Sequence, residues 1–319
     1  MSRDIAKRPE NVALGVTVIV LTVFAMSFVD AVIKYVSATF PLWQIYVVRS
    51  LMVIPILSAI ALFGPQPIPV RPRAKGWAFL RGLLLTLMYI AIYAAIPVLS
   101  LSVVAASLYT APLFIALLSA LLIGEPVGPR RWIAILIGFL GVLVILRPAT
   151  DTFSPLALIP IAAALLYALA AIITRSKCAG EPSVLLALAL NYSLLAVGTA
   201  ATVTIALWQP TPFEASLYPF LLGYWVAMGP REWGIVALLA TLMLAISLGL
   251  AKAYQSAPPS IIATFDYSYL LFAAFWSFII FAEPPDTPTI VGMLMIAGAG
   301  LLVVRGEVKA QSRELEPSA

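Results

Sequence analysis

The chain has 319 residues, of which 62% are hydrophobic and 10% charged, and its mean hydropathy is +1.05. Soluble domains contain about 45–50% apolar and about 25% charged residues, so a water-soluble fold would leave too much apolar surface in contact with water. Histidine is absent and Cys178 is the single cysteine, which excludes histidine catalysis, Cys/His metal sites and an intrachain disulfide. The composition therefore predicts an integral membrane protein.

Ten stretches are apolar enough to cross a bilayer, whose core of about 30 Å needs about 20 residues of helix. The stretches are continuously apolar rather than alternating, which predicts an all-α protein instead of a strand barrel. A more polar, aromatic segment, residues 209–231, interrupts the series and is expected to lie along the membrane interface. In chain order the stretches cover 12–37, 43–63, 77–96, 102–123, 130–147, 155–175, 183–208, 232–255, 259–281 and 288–305.

The distribution of basic residues predicts the orientation. Ten crossings place both termini on one side, and 15 of the 19 Lys and Arg residues fall on that side. Arg147 and Arg231 fall on the other side, and Lys34 and Arg49 lie within helices. The positive-inside rule therefore predicts that both termini are cytoplasmic. It also explains the net charge of +5 without nucleic acid as a partner.

The sequence contains an internal repeat. Residues 102–147 align without gaps on residues 260–305, with twelve identities in 46 positions that include Tyr109 and Tyr267 and a Glu-Pro pair. In a ten-helix topology the two copies run in opposite directions, as in many secondary transporters, whose substrate site lies between the halves. We therefore predict ten transmembrane helices as two five-helix inverted repeats, over residues 1–150 and 151–319.

Several motifs resemble one family of membrane carriers. They are Leu-Tyr-Thr-Ala-Pro-Leu-Phe at 108–114, Gly-Glu-Pro at 124–126, the glycine-containing helix at 131–141, Ala-Glu-Pro at 282–284, and Asp30-x-x-x-Lys34 followed by Gln44 and Arg49. The chain thus resembles the ten-helix EamA-type members of the drug/metabolite transporter superfamily. This resemblance implies a metabolite carrier of the bacterial inner membrane, whose substrates across the family include amino acids, nucleosides, vitamins and sugar derivatives.

Three ionisable residues in the first two helices form a candidate binding cluster, since charges inside a membrane are costly unless they are compensated or functional. Asp30 and Lys34 are four residues apart and share a helical face, so they can pair. Arg49 is expected at the same depth, about 9 Å below the outer end of the second helix. The cluster either anchors a carboxylate or another anion, or forms an ion pair that locks two helices together.

Asp266 is the other carboxylate well within a helix. It is a candidate for binding a substrate amine or for carrying a coupling proton, and the alternative is a hydrated carboxylate paired with Lys252. Asp30 has cationic neighbours that favour its ionised form, whereas Asp266 is surrounded by Phe265, Tyr267 and Tyr269. We therefore expect Asp266 to be the better proton carrier and Asp30 the better fixed charge.

A set of polar aromatic and amide side chains also lies within the helices and needs hydrogen-bond partners there. These side chains either line a polar substrate cavity or join neighbouring helices. The candidate substrate-binding residues of this set are Tyr89, Tyr93, Tyr109, Tyr167, Asn191 and Tyr267.

The sequence predicts a secondary transporter and not an enzyme. It has no Gly-x-x-x-x-Gly-Lys-Ser/Thr motif for nucleotides, so transport is expected to use gradients and alternating access. The expected substrate is a small polar or amphipathic metabolite, with export of an amino acid or related compound as the first hypothesis. The alternatives are an uptake carrier or exchanger for a vitamin or nucleoside-like metabolite, an uncoupled facilitator, a channel or an intramembrane enzyme. The expected partners are the small-molecule substrate, the lipid bilayer and coupling protons, with no metal or cofactor, and the chain is expected to be a monomer or weak dimer.

Overall fold

The computed structural model describes residues 11–37, 39–64, 73–95, 108, 110–124, 128–146, 156, 158–282, 287–288, 290–295, 297–299 and 302. Within these ranges the regular structure is helical and contains no strand. The helices are α1 (Val12–Val36), α2 (Leu42–Phe63), α3 (Lys75–Ala95), α4 (Ala111–Leu122), α5 (Pro129–Leu146), α6 (Leu158–Ser176), α7 (Ser183–Trp208), α8 (Pro212–Leu217), α9 (Pro219–Leu222), α10 (Pro230–Ser256), α11 (Pro259–Asp266) and α12 (Ser268–Phe281).

Seven helices of the described chain are long and apolar enough to cross a membrane. They are α1, α2, α3, α6, α7, α10 and the stretch Ile261–Phe281, which comprises most of α11, a turn at Tyr267 and α12. Shorter apolar helices cover Leu113–Leu122 and Ile290–Ala299. The chain is therefore a multi-pass membrane protein, as its composition indicates. The count of ten crossings and the inverted repeat stay predictions.

Local sequence explains where several helices begin. The Asn11 side chain accepts a hydrogen bond of 2.9 Å from the backbone N–H of Leu14 and so caps α1. Thr211 and Glu214 form a reciprocal capping box at the start of α8. Proline occupies the first turn of α4, α8, α9, α10 and α11, where its missing N–H is not needed.

The helices of the two sequence halves pack against each other rather than forming separate bodies. In the first half, α1 lies along α10 and α12, α2 along α7, α3 along α6 and α7, and α4 along α6 and α11. The α3–α7 contact is close enough to require glycine at position 82, because an added Cβ would lie 2.8 Å from the backbone oxygen of Ala189. Large apolar side chains such as Leu21 and Leu207 face outward, as contact with lipid requires.

Residues 209–229, which we call the interfacial segment, include α8 and α9. Exposed aromatic side chains such as Phe213 and Trp225 fit the expected position at a membrane interface. Gln44, near the start of α2, binds this segment through two hydrogen bonds. Its Nε2 donates to the Val226 carbonyl oxygen at 2.8 Å, and its Oε1 accepts from the Val226 backbone N–H at 3.0 Å. Trp43 adds a hydrogen bond of 2.7 Å to the Leu221 carbonyl oxygen.

Candidate functional site

A cavity lies among helices from both sequence halves. Its walls contain two carboxylates and four tyrosines, and the rest of the wall is apolar. The lining residues are Asp30, Asp266, Tyr89, Tyr93, Tyr167, Tyr269, Val23, Met26, Met88, Ile92, Leu108 and Ala111.

Asp30, on α1, is held by two tyrosine hydroxyls. Tyr93, near the end of α3, donates to Oδ1 at 3.0 Å, and Tyr269, near the start of α12, donates to Oδ2 at 2.6 Å. Both carboxylate oxygens therefore have a donor, and the site joins three helices. Tyr89 lies parallel to Tyr93, with a centroid distance of 6.2 Å and an interplanar angle of 15°.

Asp266, the last residue of α11, is held differently. Its Oδ2 accepts hydrogen bonds from Tyr167 of α6 at 2.9 Å and from Tyr254 of α10 at 2.7 Å. The two hydroxyls are themselves 3.3 Å apart. The other oxygen, Oδ1, is buried and has no hydrogen-bond partner. The Asp266 side chain is 4% exposed, so one of its two carboxylate oxygens is buried without a hydrogen-bond donor.

Aromatic side chains stand at two boundaries of the cavity. Tyr167 also lines a smaller pocket of about 150 Å³ that contains Arg81, Thr174 and Tyr254. Arg81 is fully buried there and donates through Nε to the Thr174 hydroxyl at 2.6 Å. At another boundary the Tyr93 ring meets buried Phe220 of the interfacial segment edge-on, at 6.3 Å.

The expected ion pair between Asp30 and Lys34 is not formed. The Lys34 ammonium instead lies 4.5 Å from the centre of the Phe281 ring, because Asp30 turns towards the tyrosines of α3 and α12. Arg49 is buried, its guanidinium lies 5.4 Å from the Tyr46 ring centre, and its Nε has no hydrogen-bond partner. Its charge acts on Asp30 through space. Neither basic side chain is among the described lining residues.

The other predicted residues divide between the cavity and helix packing. Tyr89, Tyr93 and Tyr167 line the cavity, and their role in substrate binding stays a prediction. Asn191 donates to the Ala187 carbonyl oxygen within its own helix, at 2.9 Å. Tyr267 packs against Gly138 of α5, where an added Cβ would lie 2.7 Å from its ring. Tyr109 lies outside the described residues.

Sequence reasoning missed two residues that hold the carboxylates. Tyr254 was not singled out, although it lies twelve residues before Asp266 in an apolar helix. Tyr269 was expected to surround Asp266, but its hydroxyl reaches Asp30. The sequence does show tyrosines close to a carboxylate within a membrane helix. That proximity along the chain does not identify which carboxylate each hydroxyl reaches in the fold. The described residues contain no group of His, Cys, Asp and Glu that could hold a metal ion.

Three relatives of this chain are named transporters. An S-adenosylmethionine uptake transporter of Rickettsia felis is 28% identical over 69% of this chain and 67% of its own length. A pseudopaline exporter of Pseudomonas aeruginosa is 25% identical over 91% of this chain and 96% of its own length. A riboflavin transporter of Vibrio cholerae is 26% identical over 91% of this chain and 92% of its own length.

A solved structure and a family profile also match this chain. A solved crystal structure superposes with a TM-score of 0.72 over 92% of this chain and 98% of its own, at 16% identity, which shows a shared fold. The profile of the EamA-like transporter family matches residues 13–147. Together these matches point to a transporter rather than an enzyme. Residues 13–147 of the chain are therefore similar to the EamA-like transporter family.

Proposed function

We propose that the chain is a secondary transporter that moves a small polar or amphipathic metabolite across the bacterial inner membrane by alternating access. The observation that carries the proposal is the cavity between helices of both sequence halves, with Asp30 from the first half and Asp266 from the second. Intramembrane carboxylates are costly, and a binding role explains why both lie at one cavity.

The proposed topology has ten crossings, two five-helix inverted repeats over residues 1–150 and 151–319, and cytoplasmic termini. The internal sequence repeat and the distribution of basic residues support it. The interleaving of helices from the two halves is compatible with a substrate site at their interface. The bacterial relatives support a cytoplasmic membrane location.

Asp266 is the proposed coupling group, with protons as the coupling ion. It is buried, it lines the cavity, and two tyrosine hydroxyls connect it to the pocket that contains Arg81. Asp30 has both oxygens occupied and the charge of Arg49 nearby, which suits a fixed charge. The different surroundings of the two carboxylates support these proposed roles.

Counterflow in proteoliposomes tests the transporter proposal. Vesicles preloaded with unlabelled metabolites, amino acids and related compounds first, should accumulate the labelled compound transiently, which a channel or an enzyme does not produce. Because the named relatives include an uptake carrier and an exporter, each compound is loaded on either side of the membrane. Absence of counterflow for every compound that binds the purified protein would refute the proposal.

Proton coupling needs a separate measurement. An imposed pH gradient should drive accumulation by the wild type and by Glu214→Gln, a control at an exposed capping position. Asp266→Asn should lose the response to the gradient while retaining counterflow. Accumulation by Asp266→Asn equal to that of the wild type would exclude this residue as the coupling group, and no response in the wild type would indicate a facilitator.

A further inference from the structure

The geometry points to a protonated amine with an apolar or aromatic body as the substrate class of the cavity. This inference rests on the proposed function, since it specifies the ligand of the same cavity. It replaces the anion anchor that the sequence suggests for Asp30, Lys34 and Arg49.

The cavity wall presents carboxylates and no basic side chain among its described lining residues. Arg49 is the nearby cation that acts on Asp30, and Lys34 lies against Phe281 instead. Arg81 lies in the smaller pocket and donates to Thr174. When Arg49 balances Asp30 and Asp266 has released its proton, one negative charge remains at Asp266. A substrate with one positive charge neutralises it, whereas an anion would be repelled in a low-dielectric site.

The Asp266 oxygen Oδ1 has the capacity to accept a hydrogen bond from a ligand. It is buried, and none of the described side chains or backbone N–H groups donates to it. A buried acceptor without a donor lowers the stability of the site. An ammonium group supplies both a donor and a charge, but a quaternary onium ion supplies only the charge. The unused oxygen therefore favours an amine that carries an N–H bond.

The rest of the wall fits an apolar body. Six of the twelve lining residues are aliphatic or methionine side chains, among them Met26, Met88 and Ile92. The parallel rings of Tyr89 and Tyr93 form an aromatic surface beside Asp30. Such surfaces attract cations and stack on planar groups. The cavity therefore combines one polar anchor with a large apolar contact area, as amphipathic amines require.

Four probes with the same phenyl body separate these requirements. They are 2-phenylethylamine, its N,N,N-trimethyl derivative, 2-phenylethanol and 3-phenylpropionate. Binding to the purified full-length protein in detergent is measured by isothermal titration, independently of transport. We expect the amine to bind most tightly, the trimethyl derivative more weakly, and the alcohol and the carboxylate weakest. Asp266→Asn should weaken binding of the amine by about 10- to 150-fold, as expected for a hydrogen bond to a charged group, and Glu214→Gln should not.

Each outcome decides the inference. Equal or tighter binding of 3-phenylpropionate, or no saturable binding of the amine, overturns it. Tighter binding of the trimethyl derivative than of the amine would contradict the donor requirement. The comparison of probes on the wild type stands even if Asp266→Asn fails to fold. Amine binding without counterflow would preserve the inference and refute the transporter proposal, and counterflow of anions alone would do the reverse.

Discussion

Removal of the Tyr254 hydroxyl, by Tyr254→Phe, tests how tightly the Asp266 carboxylate is held. The variant loses a hydrogen bond of 2.7 Å, and the 2.9 Å bond from Tyr167 remains. Hydrogen bonds between membrane helices average about 0.6 kcal/mol and reach about 1.7 kcal/mol. We expect a loss of about 1–2 kcal/mol in the free energy of unfolding, because the acceptor is a buried carboxylate whose other oxygen has no donor.

A double-mutant cycle with Tyr167→Phe gives the sharper result. Both hydroxyls donate to the same oxygen and lie 3.3 Å from each other, so their losses should couple by at least about 0.5 kcal/mol. Unfolding in mixed detergent micelles, followed by circular dichroism, measures the four free energies. Tyr192→Phe is the control, because that tyrosine is exposed on α7. Additive losses, or a loss no larger than that of the control, would refute the reasoning.

Three further predictions concern packing, the interfacial segment and topology. Gly82→Ala should lower the free energy of unfolding by about 1–3 kcal/mol, because its Cβ meets a backbone oxygen of α7. Gly76→Ala on the same helix meets no atom within 4 Å and should not lower it by crowding. Gln44→Leu removes both hydrogen bonds to the interfacial segment and should speed hydrogen exchange there, measured by mass spectrometry, while exchange in α7 stays unchanged. Burial raises the pKa of the Cys178 thiol to about 11, so its labelling by an impermeant thiol reagent should be slow at pH 7 and rise about tenfold per pH unit as the thiolate forms. Gly180→Cys in a Cys178→Ala chain is exposed and should react readily from the cytoplasmic side alone, and labelling of intact cells would contradict the orientation.

The helices could be predicted from the sequence because each depends on local information. A run of apolar residues gives a membrane span, and residues such as Asn11 and Thr211 cap the helix that follows them. The stretches predicted for α1, α2, α7 and α11–α12 end within a residue or two of the helices found. The interfacial segment was also predictable from its aromatic residues, but its attachment to Gln44 was not, because that contact joins residues 182 positions apart.

The candidate site could be predicted only in part, because depth in a helix does not determine which way a side chain faces. The cavity includes Tyr89 and Tyr167, which the sequence places near the middle of the membrane. Tyr267 also lies within an apolar stretch of the sequence, but its ring packs against α5. The spacing of Asp30 and Lys34 permits an ion pair, but the partners on α3 and α12 decide the direction of Asp30. Such contacts depend on the packing of distant helices, which the spacing of residues along one helix does not report.

The two carboxylates are linked through one helical stretch. Asp266 ends α11, and Tyr269, three residues later in α12, donates to Asp30. The turn between them, at Tyr267, lies against Gly138 of α5. Movement of this stretch would therefore change the surroundings of both carboxylates together. Of the two carboxylates, Asp266 is the one that accepts hydrogen bonds from α6 and α10. The proposed ligand would donate to the Asp266 oxygen that has no partner, while Asp30 keeps α1, α3 and α12 joined. The proposed alternating access needs both properties, since one contact has to change with the substrate while the rest of the site holds its shape.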